Sequence, residues 1–318
     1  MRLKLDKPPV TCIATNPKGN ALERDIELLI RRATPLVFGI FSHMNDQDGN
    51  RIVRVGGSGV FISPFQALTA GHVGRDLCRI DACWSDDLDR RGHGYSELQH
   101  SVGLFQVPDI YGPSAPSAIW AVNRTWDPVI TDICFMEVSA EGGAAAGMQF
   151  EMPTRFFEWS LLPPPVGSPV VILGFPNNDI KVCGVVWEIG VRYEMREGTV
   201  TEVFALRRDS GLYNFPCFSV DKRVDHGFSG GPVLCNGCLC GVVSGGSLPG
   251  IDVTYAASLW PLCLMEYEYP DQGVLGRKRP FSELFERRVL RSDDWQNLRG
   301  RISKSYDDDG KPYASITE

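Results

Sequence analysis

The stretch His226-Gly227-Phe228-Ser229-Gly230-Gly231-Pro232-Val233 decides how this chain is read. Glycines on both sides of a serine permit a tight turn that pushes the hydroxyl outward and aims neighbouring backbone N–H groups at one point. An oxyanion hole has that requirement. A glycine-rich turn between strands is common, and the motif alone is weak. Two other segments strengthen it. Gly57-Ser58-Gly59-Val60-Phe61-Ile62-Ser63-Pro64 and Ala67-Leu68-Thr69-Ala70-Gly71-His72-Val73 read as two short apolar strands ending in a histidine among small residues. Thr131-Asp132-Ile133-Cys134-Phe135-Met136-Glu137-Val138 reads as a strand that opens on an acid. A serine hydroxyl is a poor nucleophile until a base takes its proton, and that base needs a fixed tautomer; Ser229, His72 and Asp132 are the residue types that meet those needs.

Each candidate has a plainer alternative. His72 could be a satisfied strand-end residue and Asp132 a turn cap. Asp127 competes as the acid, but it precedes Pro128 and is expected in a turn. His43, His93 and His100 lie in polar, loop-like surroundings and read as solvent-exposed, whereas His226 stands close enough to Ser229 to line a substrate cleft.

The chain order His72, Asp132, Ser229 is that of the chymotrypsin-like triad and not that of subtilisin or the α/β-hydrolases. The sequence resembles the trypsin-like (chymotrypsin-fold) serine peptidases of the bacterial type. The resemblance rests on Thr69-Ala70-Gly71-His72, Asp132-Ile133-Cys134-Phe135-Met136 and Gly227-Phe228-Ser229-Gly230-Gly231-Pro232. The segment from Val166 to Pro176 resembles the strand that opens the second barrel in bacterial members, and the likeness spans roughly residues 35 to 260.

It implies an all-β fold of two six-stranded antiparallel barrels with the site in the cleft between them. It further implies a serine endopeptidase working through an acyl-enzyme, with no metal or organic cofactor and a peptide or protein as substrate. Carried over, the family roles make Ser229 the nucleophile, His72 the general base, Asp132 the carboxylate that orients the imidazole, and the N–H groups of Gly227 and Ser229 the oxyanion hole. A catalytically silent trypsin-like binding module is the alternative, as is a self-processing or regulatory protease with one partner substrate. Phe228 departs from the pattern: members activated by proteolysis carry an aspartate there, so no zymogen switch of that kind is expected. Arg223 stands where trypsin has the aspartate that attracts Lys and Arg. The substrate pocket is therefore expected to have Arg223 or Val224 at its base, His226 at its edge, and Ser244, Gly245 and Gly246 as one wall.

Composition agrees with this placement. The chain has 318 residues, 43% hydrophobic and 22% charged, with a net charge of −7, so no surface for nucleic-acid phosphates is indicated. The start of the chain lacks the apolar core of a secretory signal, and no run of about 18 apolar residues exists to span a bilayer. A cytoplasmic location follows as an expectation, with the ten cysteines as small buried hydrophobes and not a disulfide framework. Cys235-Asn236-Gly237-Cys238 reads as a two-residue hairpin with opposed cysteines, not as half of a zinc site.

The expected organisation is an amino-terminal arm over 1–34, with a short amphipathic helix through Leu22, Ile26, Leu28, Leu29 and Ile30. The first barrel follows over 35–155, the second over 156–260, and a helical extension over 261–318. Polar residues 86–94 read as an insertion, and Gly142–Gly147 with Pro163–Pro165 bracket the connection between barrels. Phe281 to Ile302 is expected as helix packed on the barrels or docking a regulatory protein, with a short tail after it.

Overall fold

The computed structural model describes residues 2–4, 28–29, 31–45, 51–78, 100–106, 118–140, 153–176, 179–183, 186–190, 192–246, 252–268 and 278–317. Twelve strands, numbered here as β1–β12, build two closed barrels of six strands each. The first contains β1 (Val37–Asn45), β2 (Arg51–Ser63), β3 (Gln66–Ala70), β4 (His100–Gln106), β5 (Ala118–Trp126) and β6 (Ile133–Ala140). The second contains β7 (Pro169–Gly174), β8 (Glu194–Phe204), β9 (Cys217–Val220), β10 (Pro232–Cys235), β11 (Cys238–Gly246) and β12 (Thr254–Ser258). Around the first barrel the order is β1-β2-β3-β6-β5-β4, and around the second β7-β8-β9-β12-β11-β10, so the two share one antiparallel topology. Closure needs local bending, and the ladders supply it where their register shifts, at Ile40/Phe41, Phe61/Ser63, Val200/Glu202 and Val243/Gly245 among other places.

One apolar cluster fills the first barrel and continues through the connector into the carboxy-terminal segment, while a second, with Ile172, Phe218, Phe228 and Val243, fills the other barrel. Helix α1 (Gly71–Cys78) leaves β3 at the rim of the first barrel. The Cys235-Cys238 hairpin is present as read, with Asn236 at φ 50° and Gly237 at φ 80° and the two cysteines directly opposed.

The carboxy-terminal segment corrects one expectation. In place of a helix from Phe281 to Ile302 there are two single turns, α2 (Glu283–Glu286) and α3 (Trp295–Leu298). In place of a tail there is a hairpin pairing Ile302–Tyr306 with Pro312–Ile316. Arg288, at φ 58°, stands in the left-handed region and ends the first turn. The apolar spacing that suggested a helix serves packing instead. Phe281 meets Phe135 of β6 at 5.4 Å between ring centroids, and Phe285 meets the connector residue Trp159 at 5.5 Å. The extension thus packs across the first barrel and the connector, which Asp294 also caps through the N–H of Leu161 at 2.9 Å.

Of the amino-terminal helix, residues 28–29 and 31–33 are helical and lead into a 3₁₀ turn at Thr34–Leu36; Leu22, Ile26 and Ile30 lie outside the described residues, as do residues 86–94 and 142–147. His43 and His100 lie on β1 and β4 and not in loops. Among the described residues no helix is long and apolar enough to cross a membrane.

Candidate active site

Asp132 immediately precedes β6 and is buried, and everything about it is organised by the start of α1. The first N–H groups of a helix have no partner within the helix, and Asp132 takes two of them from a different strand. Its backbone carbonyl accepts from Gly71 N at 3.0 Å and its Oδ1 from His72 N at 2.8 Å. Oδ2 accepts from the His72 ring at Nδ1, 2.8 Å away, and from the Ser244 hydroxyl at 2.6 Å. Oδ1 also accepts from Arg75 Nη2 at 3.1 Å. A carboxylate has about four acceptor sites on its two oxygens, and all are used. Burial alone would push this carboxyl up, but the hydrogen bonds and charge of His72, with the Ser244 hydroxyl, outweigh it and hold Asp132 below its ordinary value. An ionised Asp132 on Nδ1 keeps the proton there and leaves Nε2 as the free lone pair.

The loop before β10 is fixed as closely. Gly230 N donates to Val243 O at 2.7 Å and Gly231 N to Phe228 O at 2.8 Å. The N–H groups of Gly227 and Ser229 find no acceptor among the described residues. Ser58 of β2, fully buried, ties the loop to the first barrel. Its N–H donates to Ser229 O at 2.8 Å, its hydroxyl donates to Gly227 O at 2.6 Å, and the same hydroxyl accepts from Phe175 N at 2.8 Å. A Cβ at Gly57 would stand 2.5 Å from Ser229 O and 3.0 Å from Val73 Cγ2, so the loop and α1 meet over the same spot of β2. Phe228, where an aspartate is absent, is a fully buried plug in the second barrel, seated over Gly174, with the Arg196 guanidinium 5.9 Å from its ring centroid. Apolar burial anchors the segment.

The expected pocket residues fall in different places. Ser244 turns its hydroxyl to Asp132, so its side chain belongs to the carboxylate and not to a pocket wall. Val224 is packed into the interior of the second barrel, whereas Arg223 and His226 are exposed. Gly245 and Gly246 keep the end of β11 clear: a Cβ would stand 2.9 Å from the Tyr213 hydroxyl at the first and 3.8 Å from Val224 O at the second. Ser58 and Arg75 were missed in the sequence. The only hint of Ser58 was a polar residue between two glycines in an apolar run.

Cys217, Cys235, Cys238, Cys240 and Cys263 carry free thiols, and burial pushes those of Cys217 and Cys263 up to about 12, so these two stay protonated and inert as nucleophiles. No cluster of potential metal ligands occurs among the described residues.

Two barrels of identical topology, with a histidine and a buried carboxylate on one and a serine turn on the other, define the fold of the serine peptidases named above. The trypsin family model matches residues 41–257, more than half of the chain, and the chain belongs to that family of serine proteases. Among solved structures, the Rv3671c protease of M. tuberculosis in its active form is 17% identical, with 72% of this chain and 78% of that one covered and a TM-score of 0.44. Neuropsin, a serine protease of mouse brain, is 15% identical, with coverages of 73% and 92% and a TM-score of 0.45. A search of curated proteins gives no match.

Proposed function

We propose that this chain is a serine endopeptidase with Ser229 as nucleophile, His72 as general base and then acid, and Asp132 as the orienting carboxylate. The observation that carries the reading is the fully hydrogen-bonded Asp132 carboxylate on His72 Nδ1, which reserves Nε2 for proton transfer. Nε2 takes the hydroxyl proton as Ser229 Oγ attacks the peptide carbonyl carbon. The oxyanion lodges against the N–H groups of Gly227 and Ser229, and the departing amine receives the proton from Nε2. Water then repeats the sequence on the acyl-enzyme, with no metal or organic cofactor. Treating the folded protein with a fluorophosphonate and mapping the adduct tests this directly. The label is expected on Ser229, and a label elsewhere, or none on folded protein, overturns the reading.

Specificity follows from the residues expected at the base of the pocket, Arg223 and Val224. Neither exposed Arg223 nor buried Val224 offers the carboxylate that a cationic side chain needs in a desolvated pocket. Cleavage after Lys or Arg is expected to be poor, with apolar or acidic residues preferred. Cut sites mapped in a peptide library check this, and dominant cleavage after Lys or Arg would defeat the pocket assignment.

The free thiols support a cytoplasmic location. Alkylation of unfolded, unreduced protein is expected to modify all ten cysteines by intact mass. Modification of few or none would place the protein in an oxidising compartment.

A further inference from the structure

Asp127, the acid that competes with Asp132 in the sequence, is joined to the site through Arg75. Arg75 stands one helical turn beyond His72 on α1, and its guanidinium forks between two carboxylates. Nη2 donates to Asp132 Oδ1 at 3.1 Å and Nη1 donates to Asp127. Gly71 leaves room for all three groups: a Cβ there would stand 2.6 Å from Asp127 Oδ1, 2.9 Å from Asp132 Oδ1 and 3.0 Å from Arg75 Nη1. Among the described donors to the Asp132 carboxylate, the guanidinium is the fixed positive charge; the others are the backbone and ring of His72 and the neutral Ser244 hydroxyl.

That charge reaches His72 through Asp132. It offsets part of the negative charge that favours an imidazolium, while Asp127 in turn offsets part of the charge on Arg75. We propose that Arg75 and Asp127 are an opposed pair of positioning residues that set the pH at which His72 becomes a free base. Arg75 extends action toward lower pH and Asp127 draws it back. The role in catalysis rests on His72 being the general base; the effect on the imidazole does not.

Burial opposes the charge on Arg75, but Asp127 and Asp132 outweigh it and hold its pKa above the ordinary value, so the cation persists across any practical pH range. The other groups around the cluster leave this pair in control. Asp76 on α1 is exposed, and so are Asp225 and His226 on the serine loop. Cys134 of β6 is a buried thiol beneath Gly74. The Tyr213 phenol, beyond Ser244, is pushed up to about 12 by burial and by Tyr255.

The test has two readouts on the full chain. In a Ser229→Ala background, NMR titration of the His72 ring requires no activity. Arg75→Met is expected to raise its midpoint by about half a unit to one unit, the range for one unit charge acting across a partly solvated site. Asp127→Asn is expected to lower it by a smaller amount, and Arg75→Lys to return most of the Arg75→Met shift. With Ser229 present, the acidic limb of kcat/KM is expected to move in the same directions. Midpoints that stay put, or that move the same way in Arg75→Met and Asp127→Asn, overturn the proposal, as does a loss of activity with an unmoved limb. Failure of the protease reading appears separately, as absence of fluorophosphonate labelling in the parent chain.

Discussion

Asp132→Asn is expected to lower kcat/KM about ten-thousandfold, the size of loss seen when a triad carboxylate becomes an amide. The cause lies in which partners can reverse their hydrogen bonds. On the Oδ1 side stand the His72 backbone N–H and the Arg75 guanidinium, which only donate. On the Oδ2 side stand the Ser244 hydroxyl and His72 Nδ1, both able to accept. An asparagine must therefore turn its oxygen toward Arg75 and its NH₂ toward the imidazole. Nδ1 then accepts, the ring proton moves to Nε2, and the base that should face Ser229 becomes a donor. Ser229→Ala and His72→Ala are expected to abolish hydrolysis and labelling while the far-ultraviolet circular dichroism stays unchanged. An Asp132→Asn protein within tenfold of the parent kcat/KM would remove Asp132 from the role assigned to it.

The legibility of this site in the sequence followed from where the chain concentrates small residues. His72 and Ser229 were conspicuous because Thr69-Ala70-Gly71 and the glycines at 227, 230 and 231 clear space around them, and Asp132 because it opens an apolar strand. The partners that hold these residues were not legible. Ser58 works through a hydroxyl and an N–H that bind backbone of another barrel, 169 residues away at Gly227, and no local pattern encodes such a contact. Arg75 was hidden by a wrong local assignment. With His72 taken as the end of a strand, the helical spacing that sets Arg75 over the same carboxylate could not be seen. The carboxy-terminal helix failed for the reverse reason. Phe281, Phe285 and Trp295 recur at nearly helical intervals, yet Phe281 and Phe285 answer to rings in β6 and the connector, and Trp295 stacks on Phe285, so the three do not form one helix face.

Gly230→Ala is expected to have the second-largest effect, on stability and activity together. The residue sits at φ 88°, and an added Cβ would stand 2.1 Å from Ser58 O, 2.2 Å from Thr69 Oγ1 and 2.9 Å from Ala70 N. None of these neighbours is a free side-chain end: Thr69 Oγ1 donates to Ser58 O at 2.7 Å, and both residues are fully buried in β2 and β3. The loop must therefore move rather than the barrel. Left-handed strain of about 1–2 kcal/mol adds to an overpacking cost of about 1–3 kcal/mol. A shift of about 1 Å in a nucleophile costs on the order of a hundredfold in rate. The expected result is a fall of several degrees in Tm with a loss of at least about a hundredfold in kcat/KM. Gly237→Ala separates the two causes, because Gly237 has the same backbone sign, φ 80°, and nothing within 4 Å of the added carbon. It should show the strain without the crowding, a smaller fall in Tm and near-parental activity. Equal activity losses at the two positions would mean that contact between the serine loop and the first barrel does not position Ser229.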